Sequence, residues 1–262
     1  MGSFTYHARG LVLKRTKLGE TDVICTLLSQ DGSQLKAIAK GARKPTSPFT
    51  SRLELFSTCD LLLAKGKSLD IIKEARLIEG NANLRTNLEL TETASPMVEL
   101  LTKATLDSLE NDKLFPLTFK ALHLLNETAP ESDHALPLCI AHLIKAVSFL
   151  GFKPQLRQCI GCGSGNEFDP EKHISPLVSF SFLEGGVVCS NCKQNYETQA
   201  IDYDVIRWAE VLLYSTLENV EAFSIDHITQ LSLLRFIQTW IKIHVGYSLK
   251  SLNYIFSYGL PS

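Results

Sequence analysis

Cys159-Ile160-Gly161-Cys162 and Cys189-Ser190-Asn191-Cys192 form two Cys-x-x-Cys turns, and 26 residues separate them. Such turns aim pairs of thiolates at one point, and four thiolates make up the tetrahedral soft-ligand set that Zn²⁺ prefers. Glycines follow the first pair and precede the second, which is typical of knuckles between short strands. The pattern predicts one structural Zn²⁺, without an open coordination position, on Cys159, Cys162, Cys189 and Cys192. Two disulfides, or unpaired thiols in a core, are the alternatives.

Length and composition indicate two or three small folding units. The chain has 262 residues, of which 45% are hydrophobic and 21% charged. No apolar run reaches the roughly 18–20 residues that span a bilayer, and residues 1–6 lack the features of a secretory signal. The other cysteines, Cys25, Cys59 and Cys139, lie in apolar surroundings and are interpreted as buried hydrophobic residues. We therefore expect a cytoplasmic protein with no membrane partner.

The net charge of −2 conceals an asymmetry along the chain. Residues 1–85 carry 14 Lys and Arg against 8 Asp and Glu, which gives +6. The remainder carries 12 against 20, which gives −8. A basic first part indicates an anionic partner for that part, although unevenly charged solvated faces would give the same count.

Period-two segments with tight turns fill the first eighty residues. Asp31-Gly32 between two such segments is a strong hairpin signal. Five short strands in about 75 residues are typical of an OB-type barrel, a fold that commonly binds single-stranded nucleic acid. The predicted strands are residues 7–14, 23–28, 34–40, 58–64 and 69–73.

A basic, turn-forming loop without carboxylates runs from Lys40 to Arg52, between the third and fourth predicted strands. Its cations can neutralise successive phosphates, and Phe49 can stack on a base or fold back onto the barrel. We interpret this region as a nucleic-acid interface with a second basic group on the first strand. The predicted contact residues are Lys36, Lys40, Arg43, Lys44, Phe49 and Arg52, with Lys14, Arg15 and Lys17 as the second group.

From residue 84 the hydrophobic period changes to that of helices. Ser95 and Pro96 are interpreted as the cap and first position of one helix, and Asp202 and Asp226 as caps of two later ones. Further helices are expected over residues 116–126 and 136–150. The predicted fold class is α+β, with an OB domain at 1–80, a helical domain at 81–155 and 199–262, and a four-cysteine module inserted at 156–198. Helices on both sides of the module are expected to pack together.

The sequence carries no enzymatic signature. Gly66-Lys67-Ser68 lacks the upstream glycine of a phosphate-binding P-loop, because Leu61 occupies that position. A zinc hydrolase needs an open coordination position, which four thiolates do not leave. An RNA-binding protein of the translation machinery stays open as an alternative, since OB barrels and zinc knuckles occur there as well.

Four stretches along the chain resemble one family in their order and spacing. They are Lys40-Gly41-Ala42-Arg43-Lys44-Pro45, residues 149–163, which include the first cysteine pair, residues 180–192, and residues 244–251. Together they are similar to bacterial RecO, a family of DNA-repair recombination mediators. The resemblance covers nearly the whole chain.

The resemblance implies an OB-fold, a helical domain, a zinc-finger-like element and no enzymatic activity. It also implies binding of single- and double-stranded DNA, annealing of complementary strands, and help in loading RecA onto strands coated by single-stranded-DNA-binding protein. The implied partners are RecR, the acidic C-terminal tail of the coating protein and, indirectly, RecA, in the bacterial cytoplasm and at the nucleoid during repair. Because the later part of the chain is acidic, we expect DNA on the barrel and proteins on the helices, with the tail in an apolar cleft that contains Lys or Arg.

Overall fold

The computed structural model describes residues 4–107, 109–129, 132–165 and 176–258. The chain forms two compact units, Met1–Pro130 and Glu131–Ser262. The domain limits predicted from the sequence, after residues 80, 155 and 198, stay predictions.

The first unit contains the predicted five-stranded barrel. Its closed strand order is β1-β2-β3-β5-β4, with antiparallel neighbours except for the parallel pair β3–β5. The predicted OB-type architecture is therefore confirmed. The strands are β1 Thr5–Leu18, β2 Asp22–Ser29, β3 Gln34–Ala39, β4 Thr58–Ala64 and β5 Asp70–Glu79.

Two strands are longer than predicted. β1 pairs with β4 through its first half and with β2 through its second half, so it needs 14 residues. A β-bulge between Val12 and Lys14 shifts its register, and another irregularity lies where β5 pairs with Leu62 and Leu63 of β4. Bulges interrupt the period-two pattern, which is why the sequence underestimates both strands.

Alternate residues of the strands fill the barrel interior. Val12, Leu27, Ala37 and Leu61 belong to one buried cluster, which also contains Cys25 and Cys59. Burial raises the pKa of the Cys25 thiol to about 11 and that of Cys59 to about 12, so both stay protonated at neutral pH. The prediction that these cysteines are buried is confirmed, as it is for Cys139 in the second unit.

A short helix covers the side of the barrel where β3 and β5 barely meet. The two strands pair only at Ala37 with Asp70 and at Ile38 with Ile71. Helix α1, Phe49–Arg52, lies against β5, and the Arg52 guanidinium donates to the Ala75 carbonyl at 2.9 Å. This bond satisfies a backbone acceptor on the part of β5 that does not pair with β3.

Three helices complete the first unit: α2 Asn83–Thr86, α3 Leu88–Ala104 and α4 Leu114–Glu127. The predicted start of α3 at Ser95 is wrong. The helix begins after Asn87, whose side chain accepts from the Leu90 amide at 3.0 Å, and Pro96 lies buried inside it. Packing of α3 against β1 and β2 extends the helix through a proline that usually marks a first turn.

The β2–β3 turn is held by the loop between α3 and α4. Gly32 has φ +82°, which fits the predicted Asp31-Gly32 hairpin. The Asn111 amide donates to the Asp31 carbonyl at 2.8 Å, and the Gln34 amide donates to the Leu106 carbonyl at 2.9 Å. The Gln34 side chain also donates to the Thr102 carbonyl at 3.0 Å. The turn is therefore fixed by tertiary contacts as well as by its own sequence.

The second unit combines helices with a small sheet of order β7-β6-β8. Asp202 and Asp226 cap α6 and α7 as predicted, by accepting from the amides of Asp204 and Thr229. α5 contacts both α6 and α7, so helices on the two sides of the cysteine module do pack together, whereas α3 and α4 belong to the first unit. The elements are α5 Ala135–Phe149, β6 Leu177–Ser181, β7 Gly186–Val188, β8 Gln199–Asp202, α6 Tyr203–Tyr214, α7 His227–His244 and α8 Lys250–Tyr258.

No helix in the described part of the chain combines the length and the apolar character that crossing a bilayer requires.

Candidate functional site

The four paired cysteines converge on one point. Their sulfur atoms all lie within 4.8 Å of one another, and the Sγ atoms of Cys162 and Cys189 are 3.6 Å apart. Tetrahedral Zn²⁺ with bonds of about 2.3 Å would place its sulfurs about 3.8 Å apart, so the spacing fits a metal. All seven cysteines are described and none forms a disulfide, so the disulfide alternative is wrong.

Backbone amides shape the two cysteine turns. The Cys159 sulfur accepts from the amides of Gly161 at 3.4 Å and Cys189 at 3.3 Å, so each pair contributes a donor to it. Burial raises the pKa of Cys159, but the amide donors outweigh it and bring the pKa to about 6. A Cβ on Gly186 would lie 2.6 Å from the Gln155 carbonyl, which explains a glycine before the second pair. This donor set suits a cation that binds thiolates.

Aromatic packing braces the cysteine module on α7. The Phe180 ring lies 5.0 Å from that of Phe236 and 6.0 Å from that of Trp240, in edge-to-face geometry. The Trp240 indole N–H donates to the Phe152 carbonyl at 2.8 Å. The β6–β7 hairpin therefore has an attachment to the helices that is independent of any metal.

The barrel brings predicted cations from two strands into one row. Lys14 pairs with Thr26 across β1 and β2, and Thr26 pairs with Lys36 across β2 and β3. Directly paired residues project from the same face of a sheet, and this face is the outer one because the flanking Cys25 and Leu27 point into the core. Both lysines are exposed. We call the outer side of β1, β2 and β3 the β1–β3 face.

The basic loop lies at one end of that face. Lys17, Val23 and Ala39 pair across the three strands, so Lys17 and Lys40 are at the same end. The Gly41 amide donates to the Asp22 carboxylate at 2.8 Å, and the Arg43 amide donates to the Thr21 carbonyl at 2.8 Å. The Gly41 bond and the Lys40 and Lys44 charges hold the pKa of Asp22 below its usual value. The loop is thus anchored while its cationic side chains stay exposed.

Three predicted contact residues lie elsewhere. The Arg15 guanidinium forms an ion pair with Glu54 at 2.5 Å and is half-buried. Arg52 lies on α1 beside β5, and Phe49 is half-buried against the barrel core, in agreement with the alternative that it folds back. Stacking of Phe49 on a base stays a prediction.

Sequence reasoning missed two cations. Lys73 and Arg76 line a cavity of about 680 Å³ together with Phe49 and Arg52. The predicted fifth strand ended at residue 73, so Arg76 was not assigned to a strand. The alternation of charged and apolar residues over Glu74, Ala75 and Arg76 is the signal that could have extended the predicted strand to Arg76.

Two family models together match most of the chain. The family models described as Recombination protein O N terminal and Recombination protein O C terminal match residues 1–81 and 85–253. The chain belongs to the RecO family. The resemblance to RecO noted in the sequence is confirmed, and RecO relatives carry the name DNA repair protein.

Three RecO relatives illustrate the extent of the similarity. DNA repair protein RecO of Desulfitobacterium hafniense is 36% identical over 203 residues, which covers 78% of this chain and 68% of the relative. RecO of Alkaliphilus metalliredigens is 29% identical over 238 residues, covering 90% and 92%. RecO of Acetivibrio thermocellus is 27% identical over 249 residues, covering 94% of each chain.

Proposed function

We propose that this RecO-family chain is a non-enzymatic mediator that binds single- and double-stranded DNA and anneals complementary strands. One observation carries the proposal: strand register places Lys14 and Lys36 on the β1–β3 face, while the end of β1 and the anchored loop place Lys17, Lys40, Arg43 and Lys44 at one end of it. These residues lie in the part of the chain with the positive charge excess.

The chemistry of the β1–β3 face suits annealing. The row Lys14–Thr26–Lys36 offers two exposed cations with the buried Thr26 between them, and the next row, Thr16–Ile24–Ile38, offers a hydroxyl and aliphatic groups. Such side chains neutralise phosphates without reading base edges. Two strands can then approach each other with reduced repulsion while their bases stay free to pair.

Removal of the central lysines tests this interface. The double substitution Lys14→Gln and Lys36→Gln is expected to weaken binding of single-stranded DNA for all sequences. It should flatten the logarithmic salt dependence by about 1.4, since each lost contact contributes about 0.7. Fluorescence anisotropy over a salt series measures both effects.

The matched control is Lys103→Gln with Lys113→Gln, which removes the same charge from exposed positions outside the strands. An unchanged slope in the Lys14 and Lys36 variant, or an equal change in the control, would contradict the proposed interface. Competition between DNA and RNA of one sequence separates the mediator from the translation-machinery alternative. The family match favours the mediator.

We propose Zn²⁺ as the ion of the cysteine cluster. The support is that four sulfur donors lie within 4.8 Å of one another, and the full thiolate set assigns the ion a structural role. Bound Zn²⁺ would join the two cysteine turns. The ion itself would make no contact with DNA.

RecR, RecA through RecR, and the acidic tail of single-stranded-DNA-binding protein are the proposed partners, in the bacterial cytoplasm and at the nucleoid. A cavity of about 270 Å³ supports the tail site, because Phe182, Val205 and Phe236 line it with the exposed Arg235. An apolar side chain and a carboxylate of the tail would fit this combination.

Substitution Arg235→Gln is expected to weaken binding of a tail peptide about tenfold or more, since a charge-assisted hydrogen bond is lost. DNA binding should stay at the wild-type level. Arg207→Gln, on α6, is the control. Wild-type peptide affinity in the Arg235 variant would refute this location.

A further inference from the structure

A second cationic and aromatic group lies beside the first cysteine pair. Tyr214, the last residue of α6, is 54% exposed. The Lys153 ammonium lies 4.7 Å and the Arg157 guanidinium 4.9 Å from the centre of its ring. Arg157 precedes Cys159 by two residues. We call Lys153, Arg157 and Tyr214 the Tyr214 cluster.

The surroundings of this cluster are locally positive. The Lys145 ammonium donates to the carbonyls of Leu213 at 2.7 Å and Ser215 at 2.6 Å, on either side of Tyr214. Glu210 pairs with Arg157. The contacts described for this region therefore include three cations and one carboxylate, whereas residues 86–262 as a whole carry a net charge of −8.

Capping of α6 does not account for all three cations. A helix C-terminus attracts positive charge, and Lys145 serves it directly through the two carbonyls. Lys153 and Arg157 contact the tyrosine ring instead. Exposed cation–π contacts are weak, about 0.5–1 kcal/mol, so Lys153 can turn to a stronger anionic partner, whereas Arg157 also pairs with Glu210.

An exposed ring flanked by cations is the combination that holds single-stranded nucleic acid. A base stacks on the ring, and neighbouring phosphates meet the cations, without a requirement for sequence. The cluster consists of a single ring with one Lys and one Arg, a set that matches one base and its adjoining phosphates.

We propose that the Tyr214 cluster binds a second single strand of DNA. The proposal rests on the annealing function proposed above, which requires two strands on one protein. The β1–β3 face holds one strand through phosphates, and the Tyr214 cluster holds the other through one stacked base. All remaining bases of both strands stay available for pairing.

The test uses the full chain with Lys153→Gln and Tyr214→Leu, which leaves the Arg157–Glu210 pair in place. The annealing rate of complementary oligonucleotides, measured by fluorescence energy transfer, is expected to fall at least about fivefold. This factor corresponds to the lower end of the free energy that one base–aromatic stack contributes. In the Lys14→Gln and Lys36→Gln background, residual binding of single-stranded DNA should fall by a similar factor.

Lys242→Gln with Tyr254→Leu is the matched control, because it removes the same two side chains from exposed positions on α7 and α8. Thermal unfolding checks the fold, and Lys153→Glu, which keeps the ring, provides a second slow-annealing variant. Wild-type annealing rates and unchanged residual binding in the cluster variants would overturn the second-strand site but not the proposed DNA-binding function. Failure of the wild-type chain to bind single-stranded DNA would instead overturn the proposed function.

Discussion

Replacement of Cys159 and Cys189 by alanine is expected to loosen the two cysteine turns and to abolish metal binding. Structural Zn²⁺ contributes an apparent binding free energy of about 10–16 kcal/mol in zinc-finger peptides, so its loss outweighs most local packing. Metal analysis should give one Zn²⁺ per wild-type chain and none in the variant. Limited proteolysis should then cut between residues 156 and 198.

Cys139→Ala is the control for this experiment. Cys139 is fully buried on α5, outside the cluster, so its truncation should cost about 1 kcal/mol and leave the metal content unchanged. DNA binding through the barrel should survive in both variants. A metal-free wild-type chain, or a double variant as resistant to protease as the wild type, would contradict a structural metal.

Gly32→Ala is expected to destabilise the first unit by about 3 kcal/mol or more. The new Cβ would lie 1.8 Å from the Asn111 carbonyl oxygen, a backbone atom, and the residue has φ +82°. Left-handed backbone costs an ordinary residue about 1–2 kcal/mol, and overpacking costs about 1–3 kcal/mol. The midpoint of unfolding in urea measures the loss.

Gly19→Ala provides the comparison, because Gly19 has φ +57° but no atom within 4 Å of an added Cβ. Only the conformational cost of about 1–2 kcal/mol applies there. Equal destabilisation by the two substitutions would mean that the contact between the β2–β3 turn and residue 111 is unimportant.

Local signals made much of the fold predictable. The cysteine spacing, the Asp31-Gly32 turn and the caps Asp202 and Asp226 each act through neighbouring atoms, and the structure confirms all of them. The start of α3 depends instead on packing against the barrel, which overrides the usual meaning of Pro96. The local sequence of α3 does not reveal these tertiary contacts.

The residue types of the candidate site could be predicted from the sequence, but the partners of its arginines could not. The lysines of the β1–β3 face were identified by their charge alone. Whether an arginine is available depends on distant groups: Arg15 meets Glu54, and Arg52 meets the carbonyl of Ala75. Strand register and tertiary contacts decide such partners, and neither follows from residue type.

The bulge beside Leu13 has an evolutionary consequence. Leu13 is the extra residue, so a substitution that straightened the bulge without removing that residue would slide the pairing by one and exchange inside and outside for every later position of β1. Lys14 would then turn inward and Arg15 outward. Descendants of this gene could thus change the charge distribution of the barrel surface through one substitution at the bulge, without changing the identity of any charged residue.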